Sequence, residues 1–433
     1  MDKEVYITGA GVVSAIGMNK AETLDALLNR RTGVGLIRYL QTVHTDILVG
    51  EVKRSNDELR EMLHIPPSAA FIRSSLIGIP AVIEALQQAK LSLGEHAGSP
   101  LHSPAFNIPL PPSKGELSPI SPIPPGVVFL SGITVGGMDQ AELWYGDFLK
   151  NDSKNNYIEL NDCGACTEQI ADYIGGFSMV STIVTACSSS ANTIMMGADM
   201  IKSGRADIVV AGGTECLSRY HVNGFNTLMI LDKSICRPFD RDRSGINLGE
   251  GAGYVVLESS ESAQRRGVKP IGKISGYHNA CDAYHPTASS PDGLGPYLVM
   301  KGAIEDAGLS PDDIDSINAH GTGTPNNDLT EGLAAMRLFG EKMPPLSSIK
   351  AYTGHTTSAA GSFEAVVSLL ALENNFLPVN LNFQNRIEEH TFSPVTDPTP
   401  SRPMRHILSN SFGFGGNDSA ILISSIKNTN YEL

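Results

Sequence analysis

Two short segments of the chain resemble each other, and this similarity constrains the fold more than any other feature. Residues 185–191 read Thr-Ala-Cys-Ser-Ser-Ser-Ala, and residues 353–359, which lie 168 positions further on, read Thr-Gly-His-Thr-Thr-Ser-Ala. Each segment follows a possible strand and opens a helical pattern rich in small residues. The repeat predicts two equivalent halves whose central helices approach closely. Cys187 and His355 would then occupy matching positions and face a shared centre.

The pattern of short elements predicts an α/β fold. A β-branched run at 5–8 leads into Gly-Ala-Gly and then into a helical pattern at 20–28, and similar units recur along the chain. With 433 residues the chain exceeds one simple core, and we divide it into halves at 1–260 and 261–433. A segment at about 92–125 contains nine prolines, which predicts a surface insertion because proline continues neither helices nor central strands.

Composition excludes several classes of function. A formal charge of -14 argues against binding to nucleic acid. The sequence has no run of about 18 uncharged apolar residues, so we expect no membrane span, and its start does not resemble a secretory signal. We therefore expect a cytoplasmic protein. In that compartment the six cysteines are predicted to be core residues or reactive thiols instead of disulfides.

Cys187 is the cysteine whose position favours chemistry. It is predicted to begin a helix that runs to about Lys202. Free N–H groups and the helix dipole at such a position stabilise a thiolate, lower the thiol pKa and can hold an oxyanion formed on a thioester carbonyl. A buried structural thiol is the alternative interpretation, since free cysteine is often part of the core.

Two histidines accompany this cysteine on glycine-rich turns. His320 follows a predicted strand at 314–319, and His355 lies five residues after Lys350. With Cys187 they form a plausible set of one nucleophile and two hydrogen-bond donors. Zinc is the competing use of one cysteine and two histidines, but no further ligand pair is evident.

Two further motifs are interpreted as structural. Cys163-Gly-Ala-Cys166 has redox or half-zinc spacing, but no second pair follows at a suitable distance. The run Ser-Phe-Gly-Phe-Gly-Gly-Asn at 411–417 lacks the Lys-Ser/Thr of a phosphate-binding loop, so its glycines are expected to shape a turn beside the site. The sequence predicts neither a cofactor nor a metal.

Ordered motifs along nearly the whole chain resemble those of one enzyme family. The motifs are Ile7-Thr-Gly-Ala-Gly, Thr185-Ala-Cys, Ala211-Gly-Gly-Thr-Glu, Arg237-Pro-Phe-Asp, Gly249-Glu-Gly-Ala-Gly, Asp282-Ala-Tyr-His-Pro-Thr, His320-Gly-Thr-Gly-Thr-Pro, Lys350 with Thr353-Gly-His355, and Phe412-Gly-Phe-Gly-Gly. In these motifs the sequence resembles the elongating β-ketoacyl-acyl-carrier-protein synthases of the thiolase superfamily, including polyketide ketosynthases. The resemblance implies a thiolase-like fold of two duplicated α/β halves, packed as α-β-α-β-α layers.

The resemblance also implies a reaction, a decarboxylative Claisen condensation. Cys187 would carry an acyl group as a thioester, with the N–H groups of Cys187 and Phe414 forming the oxyanion hole. His320 and His355, as neutral imidazoles, would donate hydrogen bonds to the malonyl thioester carbonyl and stabilise the enolate left by carbon dioxide. The enolate would then attack the acyl group on Cys187 and yield a 3-oxoacyl product.

Supporting roles follow from the same resemblance. Lys350, paired with Glu331 or Glu364, would orient the histidines. Phe414 resembles the gate between the acyl pocket and the malonyl site. Other positions match the family's substrate-binding residues, for the pantetheine arm or for the acyl pocket near a dimer interface: Thr322, Thr324, Val135, Phe225 and Phe412.

The implied partners are an acyl carrier protein, which presents pantetheine-linked acyl and malonyl groups, and a second copy of the chain in a homodimer. Several positions depart from the family pattern. Cys187 is followed by three serines, the C-terminal motif reads Gly-Gly-Asn-Asp, and residues 66–71 lack the family's basic cluster for carrier docking, with only Arg73 nearby. Possible remaining basic contacts are Lys150, Lys154 and Arg237.

Three alternatives stay open at this point. The first is a ketosynthase of a specialised polyene or polyketide pathway, which the insertion and the thin basic cluster favour over fatty-acid elongation. The second is a non-catalytic chain-length partner, which Cys187 speaks against. The third is a cysteine hydrolase, which would need a general base paired with the thiol and access for water.

Overall fold

The structure, a computed structural model, describes residues 4–91, 123–151 and 155–426. Most of the predicted proline-rich insertion and Lys154 lie outside these ranges. Within them the strands are β1 (Val5–Ser14), β2 (Gly35–Leu36), β3 (Leu48–Gly50), β4 (Val128–Gly132), β5 (Met179–Ile183), β6 (Ile208–Glu215), β7 (Leu248–Gly249), β8 (Gly251–Ser259), β9 (Gly272–Cys281), β10 (Ser316–Asn318), β11 (Leu346–Ser347), β12 (His406–Gly413) and β13 (Asn417–Ser424).

The helices of the same ranges are α1 (Lys20–Leu28), α2 (Asn56–Met62), α3 (Arg73–Gln88), α4 (Met138–Asn151), α5 (Asn155–Glu159), α6 (Cys163–Ile174), α7 (Ser189–Lys202), α8 (Arg219–Thr227), α9 (Ser260–Arg266), α10 (Leu294–Asp306), α11 (Pro325–Phe339), α12 (Lys350–Thr353) and α13 (Ala360–Asn374). Short 3-10 helices occur at Pro311–Asp313 and Thr357–Ala359. No helix in the described ranges is long and apolar enough to cross a membrane.

The strand order repeats between the two parts of the chain. The described residues form one ten-stranded sheet in the order β11-β10-β12-β13-β9-β1-β8-β6-β4-β5. The five strands that each part contributes can be numbered by their order in the sequence. From the outer edge of the sheet inward, both sets then follow the order 3-2-4-5-1. Their pairings also match, because β4 is parallel to β5 and β6 as β10 is parallel to β11 and β12. The prediction of a duplicated α/β fold is confirmed, whereas the exact division at residue 260 stays a prediction.

Helices α7 and α13 form the central layer between the two sheet halves. They share a core cluster with strands of both halves, in which residues such as Ile194 and Val366 are fully buried. Close approach requires Gly361, since a Cβ there would lie 2.8 Å from Cβ of Ala191. Helix α3 covers the first half from outside, and α10 and α11 cover the second. This arrangement is the predicted layering, and it brings the starts of α7 and α13 to one place.

Local sequence explains where the elements begin. Asn19 caps α1, as its side chain accepts a hydrogen bond from the Glu22 N–H, and this helix has the predicted bounds. The strand predicted at 314–319 is shorter, because the chain leaves the sheet after Asn318 to form the turn that carries His320. The helix predicted to begin at Cys187 begins two residues later, with Ser188 as its N-cap.

Candidate active site

A strained turn presents Cys187 between β5 and α7. Ala186, the preceding residue, has a φ of 53°, in the left-handed region that non-glycine residues rarely adopt. The turn is held by its own hydrogen bonds: the Ser189 hydroxyl donates to the Ala186 carbonyl at 2.7 Å and accepts from the Thr185 N–H at 2.9 Å. The backbone is thus fixed so that the Cys187 thiol projects into the centre between the two halves.

The two halves deliver the cysteine and His355 to the same point. His355 Nε2 lies 3.0 Å from Cys187 Sγ. The His355 backbone is anchored to the strand region before β8, since its N–H donates to the Asn247 carbonyl at 2.7 Å and its carbonyl accepts from the Gly249 N–H at 2.9 Å. The imidazole is therefore placed to exchange a proton with the thiol.

His320 completes the centre from the end of β10. Its ring centroid lies 5.2 Å from that of His355, with the planes nearly perpendicular, and 5.6 Å from that of Phe412. The turn is held by Glu331, which accepts from the His320 N–H at 2.9 Å and the Gly321 N–H at 2.8 Å. Asn410 donates to the same carboxylate at 3.0 Å. Glu331 thus fixes the backbone of His320 instead of pairing with Lys350.

Lys350 is a buried cation with two partners. Its Nζ donates to Glu364 at 2.6 Å and also to the backbone carbonyl of His320. Both side chains of the ion pair are almost completely buried. Of the two predicted acidic partners, Glu364 is the one that the structure pairs with Lys350. The cation therefore connects α12 and α13 to the turn that carries His320.

Burial and charge set the protonation states of the histidines. Burial first, and the charge of Lys350 second, lower the pKa of His320 and His355 well below their usual value. Both imidazoles are consequently neutral at neutral pH, so one nitrogen of each ring can donate a hydrogen bond and the other can accept one. Among the described residues, Nδ1 of each ring has no hydrogen-bond partner.

The expected low pKa of Cys187 is wrong for the resting site. Burial raises the pKa of the Cys187 thiol to about 11, opposed by the charge of Lys350 and a hydrogen bond from the Phe414 N–H. The N–H groups of Ser188 and Ser189 are engaged with the carbonyls of Thr185 and Ala186. Desolvation therefore outweighs the effect of the helix start, and the thiol is neutral.

The loop between β12 and β13 brings Phe414 over the cysteine. Its backbone N–H bonds to the Cys187 sulfur, and its ring stacks on Phe225 with centroids 5.6 Å apart. Gly415 and Gly416 have φ of 85° and 78°, so the predicted backbone turn requires glycine at both positions.

A polar network missed by the sequence interpretation ties this loop to α7. The Asn417 carboxamide accepts from Ser188 at 2.7 Å, from Asn192 at 2.9 Å and from Asn279 at 2.9 Å. The signal was present in the two departures from the family pattern, the serines after the cysteine and Asn417 in the C-terminal motif. These departures contact each other directly.

The other predicted substrate-binding residues lie on two sides of the centre. Thr322 and Thr324, on the turn after His320, are 2.8 Å apart through their hydroxyls. Val135 is half-buried, and its N–H donates to Glu215. That fully buried carboxyl, which the sequence interpretation did not single out, also accepts from Ser358 at 2.8 Å and thereby connects the Val135 loop to the segment after His355.

The other candidates do not form a metal or redox site within the described ranges. Cys163 and Cys166 are free thiols at the start of α6, and burial raises the pKa of both. No group of three or more potential ligands for a metal ion occurs in the part of the chain that the structure describes. Lys150 is exposed on α4 and Arg237 is half-buried.

Comparison with known proteins agrees with this geometry. The family model "Beta-ketoacyl synthase, N-terminal domain" matches residues 132–263, and "Beta-ketoacyl synthase, C-terminal domain" matches residues 271–384. The chain is 30% identical over 438 residues to 3-oxoacyl-[acyl-carrier-protein] synthase 2 of Staphylococcus aureus (strain COL), covering 98% of this chain and 99% of the relative. It is 29% identical over 434 residues to Nodulation protein E of Rhizobium meliloti, covering 98% and 100%.

A solved structure described as the ishigamide ketosynthase/chain length factor superposes with a TM-score of 0.85 at 28% identity, covering 98% of this chain and all of that one. The duplicated fold with its central cysteine and histidines defines the class, a thiolase-fold condensing enzyme that transfers acyl groups. Within that class, the chain belongs to the beta-ketoacyl synthase family.

Proposed function

We propose that this protein is an elongating 3-oxoacyl-[acyl-carrier-protein] synthase that uses Cys187, His320 and His355 in a decarboxylative Claisen condensation. The observation that carries the proposal is the 3.0 Å contact between His355 Nε2 and Cys187 Sγ, with the His320 ring beside it. A hydrolase needs water at the thioester, whereas here cysteine and histidine are both buried. A non-catalytic partner would not need a positioned thiol.

The first half of the reaction loads the cysteine. Sγ of Cys187 attacks the thioester carbonyl of an acyl carrier while the thiol proton passes to His355. The N–H groups of Cys187 and Phe414 stabilise the oxyanion of the tetrahedral intermediate. The intermediate collapses to the acyl-cysteine, and the departing pantetheine thiolate takes the proton from His355, which becomes neutral again.

The second half forms the carbon–carbon bond. Neutral His320 and His355 donate N–H groups to the malonyl thioester carbonyl, so the electron pair released with carbon dioxide rests on an enolate oxygen. The enolate carbon attacks the acyl carbonyl on Cys187, the carbon–sulfur bond breaks, and the cysteine thiolate takes up a proton from solvent. Lys350 supports this step, since its charge adds to burial in keeping both rings neutral and its Nζ fixes the His320 carbonyl.

The partners in this proposal are an acyl carrier protein and a second copy of the chain. Thr322 and Thr324 would bind the pantetheine arm, since their hydroxyls lie together on the turn after His320. Strand β5 is an edge strand with exposed apolar side chains at Met179 and Val180, which suits antiparallel pairing with the same strand of another copy. Light scattering of the purified protein tests the homodimer, and a monomer at micromolar concentration would contradict it.

Incubation with acyl-carrier and malonyl-carrier proteins tests the reaction. We expect a 3-oxoacyl-carrier product, and an acyl adduct on the wild-type chain by intact mass that is lost in Cys187→Ala. Cys281→Ala is the matched control, since Cys281 is an exposed thiol that the reaction does not use. An acylated Cys187→Ala protein, or hydrolysis faster than condensation, would overturn the assignment.

A second candidate is the same chemistry in a specialised polyene or polyketide pathway. The similarity to the ishigamide ketosynthase favours it, together with the Ser188–Asn417 contact, which joins two departures from the pattern of the fatty-acid enzymes. Competition between saturated and conjugated acyl carriers of equal length distinguishes the pathways. Fatty-acid elongation predicts no preference for the conjugated chain.

A further inference from the structure

A buried carboxyl that the proposed reaction does not use joins the two halves of the fold close to the reacting residues. Glu215 is the last residue of β6 and is completely buried. Its Oε2 accepts hydrogen bonds from the Thr134 N–H at 2.9 Å, from the Thr134 hydroxyl, and from the Ser358 hydroxyl at 2.8 Å. Thr134 belongs to the first half of the chain and Ser358 to the second. Because hydrogen bonds to a buried carboxyl are strong, Glu215 fixes these two segments relative to each other.

The segment on the side of the second half is the short 3-10 helix that follows His355. Its first residue, Thr357, has a φ of 46°, in the left-handed region that is strained for a β-branched residue. Such a conformation persists only where the surrounding contacts hold it in place. The next residue, Ser358, supplies such contacts, since its hydroxyl bonds to Glu215 and lies 3.2 Å from the Thr214 carbonyl. The backbone that follows the histidine therefore depends on the end of β6.

The segment on the side of the first half is the loop after β4, which contains Thr134. This loop packs against the start of α7, since a Cβ at Gly132, the last residue of β4, would lie 2.7 Å from the backbone nitrogen of Ser190. Ser190 follows shortly after Cys187 on the same turn and helix start. The loop that Glu215 holds therefore supports the backbone that presents the cysteine.

The contact between Cys187 and His355 crosses from one half of the fold to the other. Sγ and Nε2 are 3.0 Å apart, so their separation depends on how the two halves are held together. We propose that Glu215 is a positioning residue that fixes this contact, by joining the loop that supports the cysteine to the helix that follows the histidine. The inference rests on the proposed function, in which the thiol proton passes to His355. A misplacement of about 1 Å can lower the rate of such a step by about 100-fold.

Removal of one hydroxyl tests the inference with little change in volume. Ser358→Ala removes the bond from the second half and keeps the carboxyl, so kcat for Cys187 acylation should fall by about tenfold while KM for the acyl carrier stays unchanged. Ser262→Ala is the matched control, because the Ser262 hydroxyl is also buried and donates to another buried carboxyl, that of Glu258, at 2.8 Å. The control should lower Tm by a similar amount and leave acylation unchanged.

Two substitutions of Glu215 separate its hydrogen bonds from its charge. The bonds from Thr134 and Ser358 all go to Oε2, and Oε1 has no partner among the described residues. A carboxamide oxygen can therefore replace Oε2, so Glu215→Gln should keep acylation within about threefold of the wild type, whereas Glu215→Ala should lower it by about 100-fold. Equal losses in the two variants would overturn the inference. If Glu215→Ala does not fold, Ser358→Ala decides.

Alkylation of Cys187 by iodoacetamide, followed by peptide mass, reports the contact without any carrier protein. Deprotonation by His355 assists this reaction, so Ser358→Ala should alkylate Cys187 about tenfold more slowly, whereas the exposed Cys281 should react at the wild-type rate in every variant. An unchanged rate at Cys187 in Ser358→Ala would overturn the inference, as would an equal slowing in Ser262→Ala, which is the signature of a purely structural role. The expected alkylation rates, together with no 3-oxoacyl product from the wild type, would overturn the proposed function alone.

Discussion

Replacing Lys350 with methionine should move the acid limb of the pH–rate profile for Cys187 acylation toward neutral pH. Lys350 is buried, and its charge lowers the pKa of His320 and His355 below the value that burial alone would give. Without the cation the imidazolium form is penalised less, so the pKa of both rings rises. Protonated imidazoles still donate hydrogen bonds, but a full positive charge beside the thiol prevents His355 from accepting its proton.

The size of the effect follows from the charges around the rings. A nearby like charge disfavours the protonated form of an imidazole. Glu364, 2.6 Å from the ammonium, cancels part of its field, so we expect the acylation rate at a given acid pH to fall by about tenfold. Breaking a buried ion pair costs about 3–5 kcal/mol of stability. Since the pKa of Glu364 is already raised to about 7, it can take up a proton and keep the cost near the lower value.

The measurement is the rate of Cys187 acylation by an acyl-carrier protein between pH 5 and 8, followed by intact mass. Lys350→Arg keeps the charge and should keep the acid limb. The double variant Lys350→Met with Glu364→Gln should recover stability while retaining the shifted limb. A lower rate with an unmoved acid limb in Lys350→Met would refute the electrostatic role and leave Lys350 only as a support of the His320 carbonyl.

Two predictions concern stability. Gly361→Ala should destabilise the fold by about 1–3 kcal/mol in chemical denaturation, because the new Cβ would lie 2.8 Å from Cβ of Ala191. The control Gly224→Ala adds its Cβ in open space on α8 and should stabilise the fold by up to about 1 kcal/mol. Equal effects of the two substitutions would contradict the packing argument. Burial and then the charge of Asp282 raise the pKa of Asp418 to about 8, above its unfolded value of 3.8. The stability that protonated Asp418 contributes is therefore fully present below about pH 4 and is lost as the pH rises toward 8. Asp418→Asn should therefore raise Tm at pH 8 and change it little at pH 4, and a uniform shift would contradict the assignment.

The sequence could predict which residues meet but not how each is supported. Cys187 and His355 occupy equivalent positions in a duplicated fold, so the repeat alone predicted that they face one centre. The choice between Glu331 and Glu364 as the partner of Lys350 depended on the packing of α11 and α13, and no local pattern decides it. One carboxylate holds backbone N–H groups and the other holds the cation, although both are buried acids on helices.

The contact between Phe225 and Phe414 could not be predicted for a related reason. Their rings stack although the two residues lie far apart in the sequence, and no local pattern connects them. Asn417 was noticed as a departure, but its role appeared only when the fold placed it against Ser188. Contacts between segments that are distant in the sequence determine how the residues of this site are supported, and local motifs do not show these contacts.

The failure of the thiolate prediction for Cys187 explains how the site is activated. A helix start lowers a thiol pKa only when its N–H groups are free to face the sulfur, and here those of Ser188 and Ser189 are bonded to backbone carbonyls. The sulfur is left with one N–H, from Phe414, in a buried setting that favours the neutral thiol. Activation must therefore come from proton transfer to His355 during attack. The same low dielectric that opposes a resting thiolate also keeps His355 neutral, and a neutral imidazole 3.0 Å from Sγ can accept that proton.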